Sequence, residues 1–196
     1  MTGPCEQVAT EAAGTIADEC LVKQFNGGDG AAFDRLIARY LKDVSGLAGR
    51  LLGWDGEVED VVQDVFLAAF VGFKKFRFEC SVKTWLFGIT VNKCRSYRYR
   101  RAVRRRALSQ ARQIKVTASK RAAEKSRHQE EKHEQVRRAV SRLPVKYREA
   151  VVLRYLEGLS TKEIIKVLGV SENAFHTRLS RAREQLEKEL SNIDAD

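Results

Sequence analysis

The chain has 196 residues, 43% of them hydrophobic, and 36 Lys and Arg against 26 Asp and Glu give it a net charge of +10. That length allows one or two domains, and that apolar content supports real cores. No apolar run approaches the roughly 18 residues of a membrane span. The acidic start, MTGPCEQVATEAAGTIADE, lacks the basic-then-apolar form of a secretory signal, so a cytoplasmic protein is expected.

Only two prolines and few alternating runs point to an all-α chain. Cys5, Cys20, Cys80 and Cys94 lie far apart, with no CxxC pair and none of the three histidines nearby. Reduced, partly buried thiols are therefore expected, with neither a metal nor a cofactor.

Residues 1–17 are small and polar and are expected to be loose. From Asp18 to Gly53 apolar residues recur at helical spacing, and Gly27-Gly28-Asp29-Gly30 divides them into two helices. Trp54, Asp55 and Gly56 read as a turn.

The next helix, EVEDVVQDVFLAAFVGFKKF, carries a broad core face of Val58, Val61, Val62, Val65, Phe66, Ala69, Phe70 and Phe73. Its other side holds Glu57, Asp60, Gln63 and Asp64 beside Leu67 and Val71. Exposed apolar residues bordered by carboxylates suit a protein partner with basic residues, and a merely solvated acidic face is the plainer alternative.

The stretch FRFECSVKTWLFGITVNKCRSYRYRRAVRRR begins apolar and ends strongly basic. Phe76, Phe78 and Trp85 lie beside Arg77 and Lys83, and Tyr97 and Tyr99 sit among arginines. Aromatics interleaved with cations fit single-stranded nucleic acid, where bases stack and phosphates pair. Trp85 fits a core position equally well, because Leu86 and Ile89 lie on a similar face.

Charge is concentrated. Residues 1–94 sum to −3, residues 95–127 to +12 and residues 128–196 to +1. A polyanion such as nucleic acid accounts for that distribution, and residues 107–131, which lack a sustained apolar stripe, read as a basic linker with some helical tendency.

Residues 143–190 read as three helices, the last two a helix-turn-helix. Pro144 suits a first helical position, and Gly158 closes YREAVVLRYLE. Ser160 and Glu163 form a capping box, Gly169 takes the positive φ of a tight turn, and Ser171 caps the last helix. On that helix Phe175, Leu179, Ala182, Leu186 and Leu190 share one face. Asn173, Thr177 and Ser180 oppose them, flanked by His176 and Arg181, a composition suited to a major groove. Arg178 and Arg183 are better placed for phosphates.

Three stretches together resemble one family. EVEDVVQDVFLAAF is similar to the polymerase-binding helix of sigma-70 family sigma factors, KTWLFGITVNKCRSYRYR to the stretch that follows it, and LPVKYREAVVLRYLEGLSTKEIIKVLGVSENAFHTRLSRAREQL to the C-terminal domain. The chain is identified as resembling the small extracytoplasmic-function branch.

The resemblance implies an all-α, two-domain initiation factor that binds core RNA polymerase and promoter DNA and is commonly held by an anti-sigma factor. Residues 18–106 would form region 2, 107–131 a linker in the RNA exit path, 132–190 region 4 and 191–196 a tail. The polymerase-docking set is Glu57, Asp60, Gln63, Asp64, Leu67 and Val71. The set for the −10 element is Arg77, Lys83, Trp85, Asn92, Lys93, Arg95 and Arg98. The set for the −35 element is Ser171, Asn173, His176, Thr177, Arg178 and Arg181.

Departures from the family pattern include His176 for Lys or Arg, Asn173-Ala174-Phe175 for Gly-Thr-Val, Ile165 for Ala, Ser96 for Asp and Val82 for Phe. The alternative is a helix-turn-helix regulator that acts without polymerase, but no receiver-like or pocket-like α/β pattern accompanies the helix-turn-helix. No GxSxG, HExxH or Gly-rich phosphate loop points to an enzyme.

Overall fold

The computed structural model describes residues 13–53, 57–111 and 129–191. The N-terminal stretch up to residue 12, the Trp54–Asp55–Gly56 turn, the linker from 112 to 128 and the tail from 192 lie outside the described residues. The described residues are helical and fall into two packed domains.

The first domain consists of α1 (Ala13–Asn26), α2 (Gly30–Leu52), α3 (Val58–Gly72) and α4 (Val82–Ala111). Asp29 starts α2 by accepting the Ala31 amide at 3.0 Å, and Gly53 ends it in the left-handed region at φ 82°. The predicted apolar stripes of α2, α3 and α4 face one another. Leu36, Val44, Leu47, Val61, Val65, Leu86, Phe87 and Val91 are all 1% exposed or less. Asp18, itself buried, fastens α1 to α2 by accepting hydrogen bonds from Arg39 and Tyr40, and burial with this carboxylate raises the Tyr40 phenol well above its usual range.

The second domain consists of α5 (Gln129–Arg142), α6 (Val145–Val151), α7 (Thr161–Leu168) and α8 (Glu172–Ser191). Leu153, Ile164, Phe175 and Ala182 centre its core at 1% exposure or less. Pro144 is the N-cap of α6, not its first helical residue. After Val151 the helix widens into a π turn, Val152–Leu156, in which the Glu157 amide reaches back five residues to the Val152 carbonyl at 3.0 Å.

Three sequence expectations shift. Helix α1 starts at Ala13, ahead of the expected Asp18, and α4 runs on to Ala111, inside the stretch read as linker. Phe70, placed on the core face, is 48% exposed, because it lies at the rim, edge-on to Phe25 at 5.0 Å and Phe33 at 5.1 Å. Trp85 is half-buried in a second aromatic group, 4.8 Å from Phe73 and 5.0 Å from Phe76.

Gly72 leaves room for that indole, since a Cβ there would lie 2.8 Å from Trp85 Cζ2 and 2.9 Å from Cη2. Gly→Ala in a helix usually stabilises by about 1 kcal/mol. Here Gly72→Ala should instead lower the unfolding free energy by about 1–3 kcal/mol, the cost of overpacking a filled site. Urea unfolding followed by tryptophan fluorescence measures it.

Candidate nucleic-acid interface

Three surfaces carry the residues singled out in the sequence. On α3, Glu57, Asp60 and Gln63 are exposed and Asp64 is half-buried. Between and beyond them Leu67 is 66% and Val71 70% exposed, so this helix shows apolar side chains to solvent on the side away from its core. The acids face the basic end of α4. Arg100 pairs with Asp64 at 3.4 Å, and the Glu57 amide donates to the Tyr97 hydroxyl at 3.4 Å.

The residues read for the −10 element do not form one open surface. Arg77 and Asn92 are exposed and Lys93 is half-buried. Lys83 pairs with Asp43 at 2.9 Å and lies over the Phe87 ring at 5.4 Å. Arg95 is bound by the other domain: its Nε and Nη2 donate to the two carboxylate oxygens of Glu149 at 2.9 and 2.7 Å. Arg98 is half-buried, and burial pulls its guanidinium below the usual arginine range. Just before α4, Phe78 takes a left-handed φ of 56°, and its ring lies tilted at 60° against that of Phe76, 4.8 Å away.

The helix-turn-helix is built as its sequence predicts. The Ser160 hydroxyl accepts the Glu163 amide at 3.3 Å, and the Glu163 carboxylate accepts the Ser160 amide at 2.9 Å. Gly169 turns the chain at φ 65°, and the Ser171 hydroxyl accepts the Ala174 amide at 3.3 Å. Phe175, Leu179 and Ala182 fix α8 on its core and leave Asn173, His176, Thr177 and Arg181 exposed along the opposite side.

The Thr177 hydroxyl donates back to the Asn173 carbonyl at 2.9 Å, which leaves its oxygen able to accept. His176 lies 3.6 Å from Glu172 and beside the Phe175 ring. Arg181 stands beside the Tyr147 hydroxyl and holds that phenol below its usual range. Arg178 is half-buried. Arg183, read as a phosphate contact, instead donates to the Tyr155 hydroxyl, with Nε at 2.8 Å. Tyr155 and Glu149 have no local sequence signal, since each acts on a residue 28 or more positions away.

Among the described residues no group of three or more His, Cys, Asp or Glu side chains is arranged to hold a metal, and no helix is long and apolar enough to cross a membrane. Among the described residues Cys20, Cys80 and Cys94 form no disulfide, and the Gln24 amide donates to the Cys20 sulfur at 3.6 Å. Burial pushes the Cys94 thiol up to about 12.

Two family models match the chain. The family described as Sigma-70 region 2 matches residues 36–112, and that described as Sigma-70, region 4 matches residues 133–186. The ECF RNA polymerase sigma-E factor of Escherichia coli K12 is 32% identical over 183 residues, covering 89% of this chain and 95% of that protein. The sigma-E factor of Haemophilus influenzae is 30% identical over 182 residues, covering 89% and 96%. Among solved structures, CnrH in complex with the cytosolic domain of CnrY is 33% identical at a TM-score of 0.63, covering 92% of this chain and 99% of that one. The sigma factor RpoE of Bartonella quintana, bound to the anti-sigma factor NepR, is 26% identical at a TM-score of 0.63, covering 81% and 96%.

The capping box yields a testable outcome. Ser160→Ala should destabilise the protein by about 0.5–2 kcal/mol at neutral pH, the usual worth of an N-cap. Hydrogen bonds from Ser160 and, further off, Thr84 hold the Glu163 carboxyl below its usual range. Its stabilising contribution is therefore complete above the ordinary carboxylate pKa and is lost as pH falls through the depressed value. The gap between urea titrations of wild type and variant should accordingly narrow in acid without closing, because the bond from the Glu163 amide to the Ser160 hydroxyl does not titrate.

Proposed function

The chain belongs to the sigma-70 family, in its extracytoplasmic-function branch, a class that binds core RNA polymerase and directs promoter recognition and transcription initiation, and on that premise we propose which residues make each contact. The acidic face of α3 docks on a basic element of the polymerase. Carboxylates at Glu57, Asp60 and Asp64 steer the approach, and Leu67 and Val71 supply the apolar centre. The observation that carries this reading is the exposure of those two side chains, at 66% and 70%, on a helix whose other side buries Val61, Val65 and Ala69.

Region 2 meets the −10 element through Arg77, Lys83, Asn92, Lys93, Arg95 and Arg98. Trp85 acts from within the aromatic group, as support for the backbone around Phe78. Region 4 reads the −35 element with α8. His176, Thr177 and Arg181 face base edges, Ser171 and Asn173 face the backbone at the helix start, and Arg178 adds a phosphate contact. One solved neighbour is in complex with the cytosolic domain of CnrY and the other with a chain named as an anti-sigma factor, and an anti-sigma partner belongs to the proposal for this chain as well.

Asp64→Lys should weaken assembly with core polymerase several-fold, by placing like charges across the contact. Because Asp64 also pairs with Arg100, Leu67→Ala is the companion variant that leaves that pair intact. It should weaken assembly while shifting stability by no more than about 0.5 kcal/mol, as for an exposed site. Wild-type affinity in both would show that α3 docks elsewhere.

On α8, an imidazole at position 176 can offer an acceptor as well as a donor, where Lys or Arg offers donors only. His176→Arg should therefore change the preferred base in a selection from randomised −35 sequences with assembled holoenzyme. Identical selected motifs would remove His176 from the reading set.

A further inference from the structure

Among the described residues four glycines take a positive φ, and one other residue does so, Phe78 at φ 56°. In that region a Cβ crowds the neighbouring carbonyl, so a bulky side chain there is an outlier, and glycine would make the same turn freely. Strain of this kind persists where the surrounding structure enforces it, and it gathers where a side chain is needed in one place.

The surroundings of Phe78 do enforce it. On one side the Phe76 amide donates to the Phe73 carbonyl at 3.1 Å. On the other the Ser81 hydroxyl accepts the Thr84 amide at 3.1 Å and starts α4. The short loop between these two anchors must turn where Phe78 stands.

The turn sets the Phe78 ring at the end of an aromatic series. Phe73 lies 4.8 Å from Trp85, Trp85 lies 5.0 Å from Phe76, and Phe76 lies 4.8 Å from Phe78. Phe73 is 1% exposed, whereas Trp85, Phe76 and Phe78 are half-buried, so the series runs from the core out to the surface. Lys74, Lys75 and Arg77, close to it in the chain, are exposed.

We propose that Phe78 is a stacking platform for one unpaired base of the −10 strand. The base adds one more ring to the series, and the neighbouring cations meet the phosphates beside it. Stacking on a single ring is open to any base, so Phe78 supplies affinity for the opened strand, not a choice of sequence. The proposal rests on the reading that region 2 meets the −10 element, and it adds an uncharged residue to that set. A ring kept only to cover Phe76 would be replaced without loss by another apolar side chain. A stacked base needs the flat face itself.

The test uses holoenzyme assembled from core polymerase and the full-length chain. The probe is a labelled single-stranded oligonucleotide selected from a randomised pool by wild-type holoenzyme and not by core polymerase alone. Phe78→Leu keeps apolar bulk without a π face, and Phe78→Tyr keeps the ring. Phe78→Gly takes the same φ without strain and stands in should the Leu variant fail to fold, which circular dichroism establishes first. Fluorescence anisotropy then measures each variant against the intact probe and against copies made abasic at one position at a time.

Phe78→Leu and Phe78→Gly should bind the intact probe about fivefold or more weakly, and Phe78→Tyr should stay within about twofold of wild type. At one position, removing the base should cost wild type that same factor and cost the Leu variant nothing further, which couples that base to the ring. Wild-type binding by both Phe78→Leu and Phe78→Gly would overturn the platform. So would a loss in Phe78→Leu that is the same for the intact probe and every abasic copy. Arg77→Ala combined with Asn92→Ala separates the two levels of the argument. Weaker binding by that pair, with none by the Phe78 variants, would remove the platform and leave the −10 assignment standing. Unchanged binding by that pair and by the Phe78 variants would overturn the −10 assignment as well.

Discussion

A carboxylate buried to the degree of Glu149 cannot stand without a partner, and its partner is in the other domain. Its residue is 3% exposed, and both oxygens are taken by Arg95. Removing one member of such a pair costs about 3–5 kcal/mol, because the charge that remains is stranded out of water. The position of α6 over α4 is tied to this requirement, and α7 and Arg50 follow from it. Once α6 lies there, Glu163 comes within reach of Thr84 and Glu157 within reach of Arg50.

Helix α4 is the element on which these demands meet. Its first turns carry Leu86, Phe87 and Val91 into the core of the N-terminal domain, where apolar burial holds them. Another side, from Thr84 to Arg98, meets the C-terminal domain through polar groups. Further along, Tyr97 meets the backbone amide of Glu57 and Arg100 pairs with Asp64 of α3. Apolar packing makes the first of these contacts permanent. The other two are ionic and water-sensitive, and are therefore open to exchange with a partner of matching charge.

The same contrast separates the two outward faces to which we assign polymerase docking and −35 reading. Leu67 and Val71 stay exposed because α3 has already filled its core side with Val61, Val65 and Ala69, and a second apolar side has nothing within the chain to cover it. On α8, Phe175 and Leu179 fix the helix so firmly that the small polar side opposite is presented without adjustment. Neither surface faces the contact between the domains. The side of α4 around Arg95 does, and both oxygens of Glu149 are taken there.

Local physics made much of this legible from residues alone. Helical spacing placed the apolar stripes of α2, α3 and α8, because burial of one helix side is a property of neighbours three and four positions apart. The capping box at Ser160, the left-handed Gly169 and the Ser171 cap are contacts within a few residues, and each forms as its spacing dictates. Exposed Leu67 and Val71 were readable for the same reason. Other features depended on distant partners. Phe70 sits at a rim only because Phe25 and Phe33 stop there, Arg183 turns to Tyr155 instead of standing free, and Arg95 is given to Glu149, 54 positions on. The sequence determined the helices, their caps and the two domains they form. The tertiary structure alone decided that the domains close on each other, because pairing between a cation and a buried acid far apart in the chain depends on where two cores have set them, and no spacing along the chain encodes that.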